Sequence, residues 1–320
     1  MRVRLLVLAA TLAAALAAPA ASHALVLGIG DQKPDMFSDP RFHGLGVRHA
    51  RLAVSWDALN SDWERAELDQ WLNAARASGV TPLVGFWHAR GDRRRVLPTP
   101  ERLKWEFRQF RARYPWVTTF ATWNEANHCG EPTCHRPQLV AAYYRALRKE
   151  CPTCTILAAE VLDMPNMRSW LRAFTRHLGY RPRLWGLHNY IDANRFRTAG
   201  TRTMLRTVPG HVWLTETGGI VERRNKRKVG FEESPAHAAK ATRWVFDRLV
   251  PLSRRITRVY LYHWNALPPP ENWDSALVDY RGRARPALRV VRRVMAAAAA
   301  RREARVRRAA RARTAHRPPA

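Results

Sequence analysis

Residues 120–130 read FATWNEANHCG. The run Phe120-Ala121-Thr122-Trp123 has the composition of a buried strand, and it stops abruptly at Asn124-Glu125, with His128 three residues on. A carboxylate at the end of a core strand is costly unless it is paired, hydrogen-bonded or put to use. Asn124 capping a helix whose dipole favours Glu125 would satisfy the pair structurally. A reactive carboxylate is the other reading.

The choice turns on how often the pattern recurs. Short runs rich in Val, Leu, Ile and aromatics lie at residues 24–30 (ALVLGIG), 47–54 (VRHARLAV), 81–87 (TPLVGFW) and 118–124 (TTFATWN). Four more follow at 155–161 (TILAAEV), 183–189 (RLWGLHN), 211–217 (HVWLTET) and 258–264 (RVYLYHW). Helical patterns fill the intervals. SDWERAELDQWLNAARASG opens at a Ser61 cap and closes at Gly79, and residues 138–150 and 234–250 read the same way. Apolar strands alternating with helices imply a parallel sheet buried on both faces. Eight such units predict a single-domain α/β protein, a (β/α)8 TIM barrel. A doubly wound open sheet is the alternative, and no glycine-rich phosphate loop supports it.

Active sites of such barrels lie at the carboxyl ends of the strands, so those ends should be chemically rich. They carry Asp31; Arg51 and Trp56; Trp87 and His88; Asn124 and Glu125; Glu160 and Asp163; His188 and Tyr190; Glu216; and His263, Trp264 and Asn265. Random polar punctuation would not put carboxylates, imidazoles and indoles at nearly every strand end.

The same frame sorts the cysteines, whose C-x4-C and C-x2-C spacings would otherwise permit a zinc site. Cys129 and Cys134 follow the fourth strand, in its upper loop, while Cys151 and Cys154 precede the fifth, on the opposite side of the barrel. One tetrahedral ion cannot take ligands from both ends. Two local disulfides, Cys129–Cys134 and Cys151–Cys154, are therefore expected, the first stiffening the loop beside Glu125.

The chain ends extend the reading. Residues 1–24 have a basic start, a short apolar run from Leu5 to Ala18 and the small-residue ending Ser22-His23-Ala24. That is the pattern of a secretory signal peptide, and the alternative, an N-terminal membrane anchor, has a run too short to span comfortably. The barrel is expected over 25–295 and an Ala/Arg-rich, partly disordered tail over 296–320. The formal charge is +29, and from Arg281 onward fourteen Arg face one Glu. An exported protein rarely meets nucleic acid, so an anionic cell envelope or polyanionic glycan is the expected partner of this charge, unless the tail has no specific partner. A secreted or envelope-associated monomer without nucleic-acid binding is expected.

Glu125 and Glu216 end the fourth and seventh strands, which face each other across an eight-stranded barrel. Glycosidic hydrolysis needs two carboxyl groups, one to protonate the leaving oxygen and one to attack or to activate water. The acid should have a raised pKa, and the nucleophile should sit ionised beside a cation such as Arg51. Trp87, Trp123 and Trp264 suit stacking on sugar faces, and Asn124, His88, His188 and Asn265 suit hydroxyls.

WNE ending one strand, HNY two strands later and LTETG on the next resemble the clan A, or 4/7, superfamily of retaining glycoside hydrolases, closest to families 39 and 128. The resemblance spans the barrel, though the motifs cover only some twenty residues. It implies Glu125 as acid/base, Glu216 as nucleophile and Asn124 on the sugar 2-hydroxyl. It also implies that Arg51 and Tyr190 hold Glu216 ionised and oriented, that Trp264 floors the site, and that no metal or other cofactor is used. Many relatives read Asn-Glu-Pro where this chain has Ala126, a departure that bears on the family more than on the mechanism. The implied substrate class is a β-linked poly- or oligosaccharide. Because the connection GGIVERRNKRKVGFEES after the seventh strand is strongly basic, an anionic glycan falls within that class. Two rivals stand beside this reading. One is a carbohydrate-binding barrel without turnover. The other is a metal-dependent hydrolase using His188, His263, Glu160 and Asp163, which lacks an HxH pair on the first strand.

Overall fold

A computed structural model describes residues 25–224 and 230–315. The expected signal peptide and the last five residues of the tail lie outside the described residues. The strands are β1 (Val26–Gly30), β2 (His49–Ser55), β3 (Thr81–Trp87), β4 (Thr119–Ala121), β5 (Thr155–Leu157), β6 (Glu160–Leu162), β7 (Leu184–His188), β8 (His211–Thr217), β9 (Glu222–Arg223), β10 (Ile256–Tyr262) and β11 (Trp273–Asp274). The helices are α1 (Pro40–Gly44), α2 (Asp62–Ala77), α3 (Pro100–Arg113), α4 (Pro137–Glu150), α5 (Met167–Leu178), α6 (Tyr190–Asn194), α7 (Ala199–Thr207), α8 (Pro235–Trp244) and α9 (Pro286–Ala315).

The main sheet is parallel and runs in the order β5-β4-β3-β2-β1-β10-β8-β7-β6. Its two ends, β5 and β6, are halves of one strand broken at Ala158-Ala159. Backbone bonds from Ala158 to Leu184 (3.0 Å) and from Glu160 to Trp123 (3.1 Å) carry the ladder across the break and close the ring. Each expected apolar run overlaps a barrel strand, so the (β/α)8 barrel holds. The fifth differs in being interrupted, and the break turns Glu160 into the interior. The connection between β7 and β8 carries two helices, α6 and α7.

Alternation along the strands builds two apolar layers. Outward-facing Phe86 and Phe120 pack with Phe107 and Phe110 of α3 between sheet and helices. Inside the ring, Leu83, Ala121, Leu157, Trp213 and Tyr260 form a separate buried cluster, and the Arg258 guanidinium lies 4.0 Å from the Trp213 ring. Above that plug the interior turns polar. Gly85 and Gly186 make the room, since a Cβ on Gly85 would lie 2.8 Å from Glu160 Oε2 and one on Gly186 would lie 2.7 Å from Glu160 Cγ.

Both expected disulfides are present, Cys129–Cys134 with Cα atoms 4.8 Å apart and Cys151–Cys154 with 5.4 Å. Ser61 occupies the N-cap position of α2 without a side-chain capping bond. Ser234 does cap α8, accepting from the His237 N–H at 3.0 Å. Among the described residues no helix is long and apolar enough to cross a membrane.

Candidate active site

A cleft of about 520 Å³ opens at the carboxyl ends of the strands. Its floor is organised by Arg51 of β2, which is 1% exposed. Arg51 donates from Nε and Nη2 to the two oxygens of Glu160 (2.8 and 2.7 Å), from Nη1 to Glu216 Oε2 (2.7 Å) and from Nη2 to Asn124 Oδ1 (2.5 Å). Burial opposes its charge, but the facing carboxylates of Glu160 and Glu216 outweigh that and raise its pKa further. Glu160 is fully buried; burial would raise its carboxyl, yet Arg51 and His188 hold it far below the ordinary range.

Glu216 receives a second donor, the Tyr190 hydroxyl, on Oε1 at 3.0 Å. Burial and the Glu216 charge push the Tyr190 phenol well above its usual value, so Tyr190 stays a donor. Each carboxylate oxygen of Glu216 is thus engaged by a different donor, Arg51 within β2 and Tyr190 just after β7.

Glu125 lies across from it. Its backbone has φ 46°, in the left-handed region that non-glycine residues rarely occupy. The conformation is held by bonds on both sides, Asn124 N–H to Phe86 (2.7 Å) and Ala126 N–H to Glu160 (2.9 Å). Such outliers concentrate at functional sites. His188, fully buried at the end of β7, sits 3.2 Å from Glu125 through Nδ1. It lies 3.8 Å from Glu216 and, through Nε2, 3.7 Å from Glu160, ion-pair distances too long for hydrogen bonds. Burial disfavours the imidazolium, but Glu216, Glu125 and Glu160 around it raise its pKa to about 9.

This environment departs from the expected raised pKa on the acid. Burial does push the Glu125 carboxyl up, but the His188, His128 and Arg51 cations prevail and hold it below its ordinary range. The cause is the charged imidazole at 3.2 Å.

The structure brings together Arg51, Asn124, Glu125, His188, Tyr190 and Glu216, and Trp87 lines the cleft beside them. Four other expected contacts, Trp264, Trp56, His88 and Trp123, lie outside the cleft lining. Trp264 is buried away from the cleft, its ring edge-on to Phe42 (5.5 Å) and its Nε1 donating to Asp39 (3.1 Å). The strand ends at Tyr262, and the Asp31 carboxylate then captures the Trp264 and Asn265 N–H groups (2.9 and 3.2 Å), drawing the chain towards β1. Tyr262, in phase with Tyr260, faces the cleft instead. Trp56 is one residue out of phase with Ala53, which lines the cleft; Trp56 is buried outside it under Arg93. His88 turns to Glu131 (2.8 Å) and stacks on Trp87. Trp123 likewise belongs to the core, stacked on Tyr143 of α4 at 5.4 Å.

Of the metal reading's four groups, His188 and Glu160 lie 3.7 Å apart, but Asp163 and His263 do not join them. Asp163 accepts from the Ile191 and Asp192 N–H groups, Glu160 is taken by Arg51, and His263 neighbours Asp31 and Asp274. Sequence reasoning missed Gln32, Tyr262, Trp273 and Arg223 as cleft residues. For Tyr262 the strand's period of two was a usable signal. Trp273 and Arg223 come from β11 and β9, loop strands that pair antiparallel only in three dimensions.

The fold is that of known glycoside hydrolases. A family 39 enzyme from Bacteroides cellulosilyticus WH2 aligns at 13% identity over 86% of this chain and 64% of its own, with a TM-score of 0.55. A family 128 endo-β-1,3-glucanase from Amycolatopsis mediterranei aligns at 17% identity over 84% and 98%, TM-score 0.55. A family 5 enzyme from Streptomyces cattleya aligns at 15% identity over 85% and 79%, TM-score 0.60. The chain spans about two thirds or less of the length of some of its matches, including the first of these and an exo-β-1,4-mannosidase from Opitutaceae bacterium strain TAV5, of which it spans 59%. No protein-family model matches the sequence, and no curated protein does.

Proposed function

We propose that the protein is an exported, retaining glycoside hydrolase acting on β-linked glycans, with Glu125 as acid/base and Glu216 as nucleophile. The observation that carries this reading is the spacing of the pair. One carboxylate oxygen of Glu125, one of Glu216 and a nitrogen of His188 all lie within 4.8 Å of one another. Carboxyl groups ~5–5.5 Å apart suit double displacement, whereas ~6.5–9.5 Å leaves room for a water and inversion.

In the first step a Glu216 oxygen attacks the anomeric carbon while Glu125 protonates the departing glycosidic oxygen. In the second, Glu125 removes a proton from water, which displaces Glu216 from the sugar. Arg51 and Tyr190 fix the attacking carboxylate, and Asn124, anchored by Arg51, is left with its amide donors for a sugar hydroxyl. Three carboxylates (Glu125, Glu160, Glu216) surround two cations (Arg51, His188), so one further proton neutralises the cluster. Of the three, Glu125 is the most exposed. A bound glycan displaces its water and raises the cost of its charge, which favours protonation there when the acid is needed.

The solved structures with this fold include proteins described as acting on β-1,3-glucan, β-1,4-galactan and β-1,4-mannosides, which supports a β-glycan class. The same reading includes export and electrostatic association of the basic C-terminal segment with an anionic envelope. Cell fractionation with and without high salt tests that part.

The deciding experiment is a polysaccharide panel assayed with wild type, Glu125→Gln and Glu216→Gln, with product anomers followed by NMR. Turnover surviving both substitutions overturns the mechanism, and an inverted first-formed product overturns retention. Because the Glu125, His188 and Glu216 ligand atoms also have the spacing of a cation site, the panel is run with and without chelator. Activity lost to chelator and restored by a divalent metal would replace this reading.

A further inference from the structure

One residue of the cleft bears on the charge of the glycan. Arg223, on β9, is fixed on several sides. Its backbone N–H and its Nε both donate to Glu233, each at 2.7 Å. Its guanidinium lies 5.4 Å from the Phe231 ring and 6.0 Å from the Trp273 ring. Yet Nη2 is buried and has no hydrogen-bond partner among the described residues. A buried guanidinium N–H without an acceptor is costly, and native structures seldom leave one.

Its position ties it to the chemistry. Glu216 accepts from Tyr190, Tyr190 packs edge-on against Trp273 at 5.0 Å, and Trp273 in turn faces Arg223. The guanidinium therefore stands two side chains from the candidate nucleophile. The cleft is also lined by Arg195 and His128, and its acidic lining residues are Glu125 and Glu216. A neutral glycan needs hydroxyl-bonding groups and aromatic platforms, which Asn124, Gln32, Trp87 and Trp273 provide. A rigidly held arginine between aromatic walls suits an oxyanion, which its planar donors meet with charge-assisted bonds.

We propose that this cleft takes an anionic glycan, with Arg223 bonding the carboxylate or sulfate of an acidic sugar next to the bond that is cleaved. The inference rests on the proposed hydrolase function for the cleavage alone; the binding itself does not require turnover. Binding brings an acceptor to the donors that Glu233 leaves free, while Glu233 keeps the guanidinium oriented.

The test measures kcat/KM and calorimetric affinity for uronate-containing oligosaccharides, the same oligosaccharides after carboxyl reduction, and sulfated neutral-backbone oligosaccharides. The proteins are wild type, Arg223→Gln, Arg223→Lys and an Arg307→Gln/Arg308→Gln control on α9, all checked by thermal melting. Wild type is expected to prefer one of the two acidic arms, identifying carboxylate or sulfate, by about ten- to a hundred-fold over the neutral arm. Arg223→Gln should abolish that preference, with the acidic arm losing far more than the neutral arm. Arg223→Lys should retain part of it, and the α9 control should retain all of it, separating Arg223 from the general positive charge. Equal handling of neutral and acidic arms by wild type, or a preference surviving in Arg223→Gln, would overturn the inference and leave the hydrolase reading intact. Arg223-dependent binding of an acidic arm without turnover of any arm would uphold the inference and remove the hydrolase reading.

Discussion

Arg51 and Glu160 form a two-pronged, fully buried ion pair at the centre of the barrel, with bonds of 2.8 and 2.7 Å, and the same guanidinium reaches Glu216 at 2.7 Å. Because Arg51 touches Glu160, Glu216 and Asn124 at once, the pair couples stability to the geometry of the site. Removing one partner strands a buried charge, which typically costs 3–5 kcal/mol or roughly that order. Glu160→Gln is therefore expected to lower unfolding free energy by a few kcal/mol in urea titration and to cut activity. Arg51→Lys, which keeps the charge but loses the fork, should also impair activity, because an ammonium cannot hold Glu160, Glu216 and Asn124 together. Full activity in either variant would show that the fork is incidental.

His188 should set an alkaline limit. Its pKa is raised from 6.5 to about 9, so the native state holds a proton that the unfolded chain has released. The resulting stability is complete below pH 6.5 and is lost as pH rises through about 9. For a side chain this buried, the loss is of order 3 kcal/mol. Activity should fall over the same window as the charge beside Glu125 and Glu216 disappears. His188→Gln should remove the alkaline dependence of stability between pH 6.5 and 9; an unchanged slope in that variant would assign it to another group.

The glycines of the interior make a steric prediction. A Cβ on Gly186 would meet Glu160 Cγ and Thr215 Oγ1, both at 2.7 Å, whereas one on Gly44 meets nothing within 4 Å. Gly186→Ala should cost about 1–3 kcal/mol through overpacking and disturb activity by displacing Glu160. Gly44→Ala should be close to neutral in the same melts. Equal melting temperatures for the two variants would mean that the barrel interior can relax around the added methyl group.

These residues also show what the sequence made legible. The strands were readable because parallel barrel strands are apolar on both faces, and Glu125 and Glu216 stood out as carboxylates where such strands end. Glu160 was visible as a strand-end residue, but its pairing with Arg51 depends on the Ala158-Ala159 break and the space at Gly85 and Gly186, which no local pattern encodes. Trp264 misled for a similar reason: a period of two holds only while the ladder lasts, and the ladder stops at Tyr262. Trp273 and Arg223 reach the cleft through a loop-to-loop pairing of β9 with β11, a contact between distant segments that leaves no periodic trace.

The Cys129–Cys134 disulfide gives the last prediction. It closes a five-residue separation directly after His128, which lies 3.7 Å from Glu125 and whose N–H bonds the Glu125 carbonyl at 2.8 Å. Chain-entropy arguments for so short a loop give about 2 kcal/mol. The second disulfide, Cys151–Cys154, lies at the opposite end of the barrel, before β5. A Cys129→Ser/Cys134→Ser variant should therefore lose both stability and activity, because the turn that presents Glu125 at its unusual φ is loosened. Cys151→Ser/Cys154→Ser should lose stability with much less effect on kcat. Comparing kcat with melting temperature for the two variants, well below both melts, separates the effects. Equal kcat in both would mean that the first disulfide supports the fold alone and has no part in holding Glu125.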